Sequence, residues 1–326
     1  MTAMRPLRRA ARPCPPRKAA PIPARRAPDR GLTLALACAL ALALALALVP
    51  AAARAQPIVV RDDRGIEHRL SAPPKRIVTM LPSLTEAAWV LGAGPRLVGV
   101  DRWSNWPAAI AALPRVGGLD DPRIEAIAAL KPDLILASTS ARALDRLEAL
   151  GFTVIGLKSD SHADVYRTLE LLARLLGTPD EAARVRARLE RETEAAAARV
   201  PAAMRGRRVY FEIGGGPYAA GTASFIGETL ARLGLENIVP PELGPFPKLN
   251  PEFVLRARPE LILGLRRELA ELAARPGWGT LPAVRDGRLC GFDAAAYDVL
   301  VRPGPRMGDA AALVADCLVR VAPPPR

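Results

Sequence analysis

The side chains that could carry chemistry are few and scattered. The chain has 326 residues and two histidines, His68 and His162, with no cysteine cluster beside either. That pattern does not make a zinc or manganese centre. No Gly-x-Ser-x-Gly elbow occurs, and neither histidine ends a strand of a sheet, so a Ser-His-Asp arrangement has no support. Gly214-Gly215-Gly216-Pro217 follows a strand pattern and could cradle phosphate, but the next helix begins only near Ser224. The strand-loop-helix geometry of a phosphate loop is therefore missing. What remains is a glycine-rich loop at a strand's carboxyl end, where ligands of many kinds are contacted. No catalytic residue and no metal ligand is assigned.

Aromatic residues give a clearer signal. Only 14 occur, all between Trp89 and Tyr297. Trp103 and Trp106 follow the strand pattern Leu97–Val100, Tyr218 follows the glycine loop, and Phe246 lies between Pro245 and Pro247. Tyr297, Asp298, Arg302 and Arg306 follow the strand pattern 288–291. All are expected in loops beyond strand ends, so they suit an aromatic-lined cleft that binds a ligand without turning it over.

The elements that must position them alternate. Residues 58–60 and 68–70 flank Asp62-Asp63-Arg64-Gly65 as a hairpin. Strands are expected at 77–80, 97–100, 134–137 and 153–156, with helices between them. Ser83-Leu84-Thr85-Glu86 has capping-box spacing, and Asp121-Pro122 reads as a second helix start. Such alternation implies parallel sheets covered by helices. A further capping box at Thr178-Pro179-Asp180-Glu181 opens a helix that can run to Val200, rich in Ala, Arg and Glu. A helix so polar is expected on the surface or bridging two lobes. Alternation then resumes to a final helix at about 307–320.

The two halves also echo each other. Residues 124–136 and 251–263 share a glutamate (Glu125, Glu252) and then a base-Pro-acid-Leu-Ile-Leu run, offset by 127 residues. Two related lobes follow: 56–177 and 203–326, linked by 178–202, with the ligand cleft between them.

The net charge of +13 suggests a nucleic-acid binder, but residues 1–55 account for +9 of it and the rest for +4. No basic block or aromatic-basic RNA signature falls in the folded part, so nucleic acid is not an expected partner. The first 55 residues instead carry a basic stretch, a 19-residue uncharged run from Gly31 to Val49, and Ala53-Arg54-Ala55 before Gln56. That is the pattern of a cleaved export signal, with a retained anchor as the alternative. Both put residues 56–326 outside the cytoplasmic membrane. Arg25-Arg26 is followed by sequence that fits a twin-arginine signal poorly. Cys38 lies within the apolar run rather than at its end, so lipidation is not expected. After the signal only Cys290 and Cys317 remain; an oxidising compartment permits their pairing, which sequence leaves open.

Met80-Leu81-Pro82-Ser83-Leu84-Thr85-Glu86, Leu130-Lys131-Pro132-Asp133-Leu134-Ile135 and Arg302-Pro303-Gly304-Pro305-Arg306 resemble the periplasmic binding proteins of ABC importers for cobalamin, haem and iron-siderophores. The resemblance covers about residues 57–320. It implies an α/β fold of two Rossmann-like lobes joined by a single long backbone helix, and a monomer that delivers its ligand to an ABC permease and its ATPase. It is closest to the cobalamin-binding members. By that resemblance Trp106 takes the place of a ligand-contacting tyrosine, Tyr218 of a phenylalanine and Phe246 of a tryptophan, while Asp298 and Arg302 match an Asp and an Arg spaced alike. Trp103 joins this set from the aromatic pattern. Glu125 and Glu252 match glutamates that meet permease arginines. Leu119 stands where those proteins have a cleft tryptophan, which removes one stacking surface. Leu233 stands where they have a cysteine, so that disulfide is not carried over. No resident cofactor is implied, cobalamin being cargo.

Overall fold

The computed structural model describes residues 56–324. The expected signal segment and cleavage position lie outside the described residues. Strands β1 (Ile58–Arg61) and β2 (Glu67–Leu70) pair antiparallel as the expected hairpin. Its turn is fixed by buried Asp62, which accepts from the backbone N–H groups of Arg64, Ile66 and Gly156. The Gly156 bond ties the hairpin to the first lobe.

That lobe is a four-stranded parallel sheet in the order β4-β3-β5-β6, formed by β3 (Ile77–Thr79), β4 (Leu97–Val100), β5 (Leu134–Ser138) and β6 (Val154–Leu157). Every residue of β3 and β6 is buried, which is why these strands read as apolar runs rather than alternating ones. Helix His162–Leu176 follows, opened by a capping box of Ser161 and Asp164.

The linking helix, Pro179–Arg199, ends one residue short of the expected limit. Its polar surface is broken by one buried stripe: Ala182, Val185, Leu189, Thr193 and Ala196. The three- and four-residue spacing puts these on one face, which packs against helix His162–Leu176 of the first lobe and helix Met307–Val321 of the second. The Thr178 hydroxyl does not cap this helix; it donates to the Leu91 carbonyl.

The second lobe is built on β7 (Arg208–Ile213), β8 (Tyr218–Ala219), β9 (Glu236–Asn237), β10 (Leu261–Leu265) and β11 (Leu289–Phe292). β11, β10 and β7 run parallel; β9 pairs with the start of β7, and β8 pairs antiparallel with its end. The repeat is visible in the backbone. Helices Ile124–Ala129 and Pro251–Ala257 precede β5 and β10, whose first residues are Leu134 and Leu261. Between them Lys131 and Arg258, the bases before each proline, both adopt the left-handed conformation, at φ 45° and 49°. A left-handed residue stops a helix and frees the chain to turn into the strand.

The main apolar core runs through both lobes and the linking helix, joining Ile77 and Leu84 to Leu189, Phe211 and Leu263. A smaller cluster lies on the outer side of each lobe. Cys290 and Cys317 form a disulfide with Cα atoms 5.7 Å apart, joining β11 to the last helix.

Three further local expectations are corrected. The helix after β3 starts at Pro82, so Ser83 lies inside it and caps nothing. The helix after Asp121-Pro122 starts at Ile124, with Arg123 before it. Tyr297 and Asp298 lie on helix Ala294–Leu300 rather than in a loop.

Candidate functional site

In both lobes the parallel strands end towards loops that carry the candidate residues. After β4, the loop from Asp101 to Pro107 is held from beneath. Buried Asp101 accepts from the Trp103 backbone N–H (2.8 Å) and from the Ser104 hydroxyl. Ser104 Oγ lies 2.7 Å from Thr85 Oγ1, which lies 2.6 Å from Thr79 Oγ1. Burial pushes the Asp101 carboxyl above its ordinary range, with the Ser104 and Trp103 bonds pulling the other way. This hydroxyl chain makes a stiff base, and on it Trp103 stands 67% exposed. A tryptophan so exposed lies outside the core and leaves its ring face open to a partner.

Trp106 is half-buried, with the Arg306 guanidinium 5.2 Å above its ring. Arg302 is buried, 7% exposed, and both its terminal nitrogens are engaged by protein. Nη1 donates to Glu86 Oε1 (2.9 Å) and Asn105 Oδ1 (2.7 Å); Nη2 donates to the Trp103 carbonyl (3.1 Å) and Asp298 Oδ2 (2.7 Å). Asn105 Nδ2 donates to the same Asp298 oxygen at 2.9 Å. Four of the six expected ligand residues, Trp103, Trp106, Asp298 and Arg302, thus gather at one place where the lobes meet. Arg302 serves there as a hub inside the protein rather than the free donor expected.

Sequence reasoning missed Glu86 and Asn105. Glu86 is 1% exposed, and burial pushes its carboxyl above the ordinary range, against the pull of Arg302 and Arg306. The signal was present: an acid in a helix whose neighbours Leu84, Thr85, Ala87 and Ala88 are all buried. Its spacing from Ser83 suggested a cap instead.

Tyr218 and Phe246 form a second group. Tyr218 lies on β8, 49% exposed, in a bridge with Lys248. Half-buried Phe246 meets Phe225 edge-on at 6.0 Å between ring centres. The glycine loop before Tyr218 holds Gly214, Gly215 and Gly216 all at positive φ, which is why three glycines stand there. Tyr297 belongs to neither group. It is buried, stacked on Phe211, and its hydroxyl accepts from the Gly214 N–H and donates to the Glu212 carbonyl.

Cavities border these groups. One of about 280 Å³ in the first lobe is lined by Met80, Asp101, Trp103 and Leu119. Another of about 480 Å³ lies beyond β10 and β11, against Arg266, Phe292, Tyr297 and Asp298. A third, of about 530 Å³, lies between the glycine loop, Glu252 and Trp278, over a buried Glu212 bound by both terminal nitrogens of Arg275. Being lined by second-lobe residues alone, it is set apart from the Arg302 group. Leu119 lines the first of these where the resemblance placed a tryptophan.

Glu125 and Glu252 are exposed in the first turns of the two equivalent helices. Acids there offset the helix macrodipole whatever else they do. The histidines lie elsewhere. His68 is in the hairpin beside Asp62, and His162 is buried at a seam between the lobes, bonded to Thr229 and the Phe225 carbonyl. Among the described residues no group of three His, Cys, Asp or Glu could hold a metal ion.

Residues 77–296, two parallel-sheet halves and the loops between them, match the sequence pattern of the family described as periplasmic binding protein. The chain belongs to that family. As a periplasmic binding protein it is 30% identical over 205 residues to the vitamin B12-binding protein of Pectobacterium atrosepticum, covering 59% of this chain and 72% of that one. It is 26% identical over 264 residues to an uncharacterised ABC transporter substrate-binding lipoprotein of Bacillus subtilis, covering 77% and 82%. The crystal structure of a periplasmic haem-binding protein from Pseudomonas aeruginosa superposes with a TM-score of 0.65 at 28% identity, covering 78% of this chain and 95% of that one. Family membership supports the two-lobed reading of the fold and makes the space between the lobes the candidate ligand site.

Proposed function

We propose that this binding protein captures a corrinoid outside the cytoplasmic membrane and delivers it to an ABC permease driven by its ATPase. The observation that carries the reading is the presence of large aromatic side chains on both lobes: Trp103 and Trp106 on a loop of one, Tyr218 on β8 and Phe246 on a loop of the other. A corrinoid has broad apolar ring faces fringed with amides. It calls for flat aromatic walls and a few orienting polar groups, and Asp298, with Asn105 beside it, supplies acceptor and donor at the rim. Relatives named for vitamin B12 support the same class. Haem is the second reading, favoured by the haem-binding structural neighbour. Haem iron takes an axial side chain; both histidines lie away from the cleft loops and the Tyr297 hydroxyl is engaged, so Tyr218 is the side chain that would serve. An anionic ferric siderophore would need convergent free arginines, and Arg302 is already bound on four sides.

Glu125 and Glu252, one per lobe on repeat-related helices, are proposed to meet basic residues of the permease. The protein is proposed to act as a periplasmic monomer that begins at Gln56 after signal cleavage. Titration of the purified protein with cyanocobalamin, hemin and a ferric hydroxamate, followed by tryptophan fluorescence, tests the ligand. One-to-one quenching by cyanocobalamin is expected. Tight binding of hemin or the siderophore with no response to cyanocobalamin overturns the corrinoid reading.

A further inference from the structure

Glu86 and Arg302 are 216 positions apart and come from different lobes, yet their side chains meet at 2.9 Å with both nearly out of contact with water. Arg306 adds a second positive charge 3.8 Å from the same carboxylate oxygen. The other oxygen, Glu86 Oε2, is buried without a hydrogen-bond partner, as is Ser83 Oγ one turn earlier on the same helix. A buried ion pair with an unmet oxygen is a poor source of stability, because desolvation offsets most of its attraction. What such a pair does supply is a defined geometry. Here the geometry is interlobar. The bonds from Arg302 to Glu86, Asn105 and the Trp103 carbonyl, and the bond from Asn105 to Asp298, all cross from one lobe to the other. Two of these partners, Trp103 and Asn105, belong to the loop that displays the first lobe's aromatic wall.

We propose that Glu86, acting through Arg302, is a positioning residue that sets the separation of the two lobes at the ligand cleft, with Asn105 fastening the same contact at its exposed rim. Ligand affinity then depends on a carboxylate that the ligand does not touch. The affinity part of this rests on the cleft being the ligand site; the lobe geometry does not.

The test therefore reads lobe geometry first, without ligand. Spin labels at R142C in the first lobe and R267C in the second, both well-exposed positions, report the distance between lobes in the exported protein. The unsubstituted contact should give one narrow distribution. Glu86→Ala and Asn105→Ala should each broaden or shift it, and Glu86→Gln, whose amide oxygen still accepts from Arg302, should stay closer to the starting protein. Affinity for cyanocobalamin should fall at least about fivefold in Glu86→Ala, the lower end of ordinary coupling between sites. Unchanged distance distributions in folded Glu86→Ala and Asn105→Ala overturn the proposal, whatever happens to affinity. If Glu86→Ala does not fold, Asn105→Ala decides, since Asn105 is exposed and its loss leaves no buried charge. If the starting protein binds neither cyanocobalamin nor hemin, the proposed function fails while the ligand-free distances still decide this inference.

Discussion

Reducing the disulfide between Cys290 and Cys317 should weaken the fold by an amount that can be worked out from its place in the chain. The bond closes a loop of 27 residues. In the chain-entropy treatment a cross-link of that span removes about 12 cal/mol/K from the unfolded ensemble, or about 3.5 kcal/mol at 25 °C. Against a total stability of roughly 5–15 kcal/mol, that is a large share. Both sulfurs are buried, so reduction proceeds through the unfolded state and must be measured at equilibrium. Urea denaturation with and without a phosphine reductant, followed by tryptophan fluorescence and approached from both directions, gives the difference. The midpoint should fall, and the urea dependence should steepen because the reduced unfolded chain exposes more surface. The closed loop also contains Asp298, Arg302 and Arg306, so the bond fastens the stretch that carries the second lobe's share of the interlobar contact. Affinity should change less than stability, because β11 stays paired with β10 and the last helix stays packed against the linking helix. A stability difference below about 1 kcal/mol would refute the reasoning, since the entropic term alone predicts more.

Trp106→Ala should weaken cyanocobalamin binding by about 1–3 kcal/mol, the order expected for a lost aromatic wall, as read by calorimetry; an unchanged affinity would remove Trp106 from the site. Glu125→Ala combined with Glu252→Ala should leave that affinity intact and cut cellular uptake of the ligand; normal uptake in the double variant counts against the docking role. The last concerns pH. Burial holds the His162 imidazole below its ordinary value, with Glu228 pulling the other way. A histidine depressed in the folded state contributes stability that is present above its unfolded value of about 6.5 and lost as pH falls through the lower folded value. Melting temperatures from about pH 7.5 down to 5 should therefore decline less steeply in His162→Gln than in the starting protein, and parallel profiles would sink the assignment.

Much of the architecture was legible before any coordinates. The buried strands β3, β5, β6 and β10 announce themselves as short apolar runs, because a parallel strand covered on both faces has no polar side to show. The repeat at an offset of 127 residues pointed to two related lobes; that Lys131 and Arg258 both adopt the left-handed conformation appears only in the structure. The aromatic pattern read Trp103, Trp106, Tyr218 and Phe246 as lying outside the core, and Trp103 and Tyr218 are exposed, though Tyr218 lies on a strand rather than in a loop. Tertiary structure decided the remainder. Glu86 has the spacing of a helix cap, yet its partner is Arg302 in the other lobe. Tyr297 follows a strand as Trp103 does, yet it stacks on Phe211 inside the second lobe. Cys290 and Cys317 allowed a bond that only their separation in space could settle. The physical reason is common to all three. Local sequence sets which face of an element is apolar and where a backbone donor lacks a partner, but a contact between distant residues depends on how the layers stack. In this chain the stacking is set by one buried stripe on the linking helix, against which both lobes close.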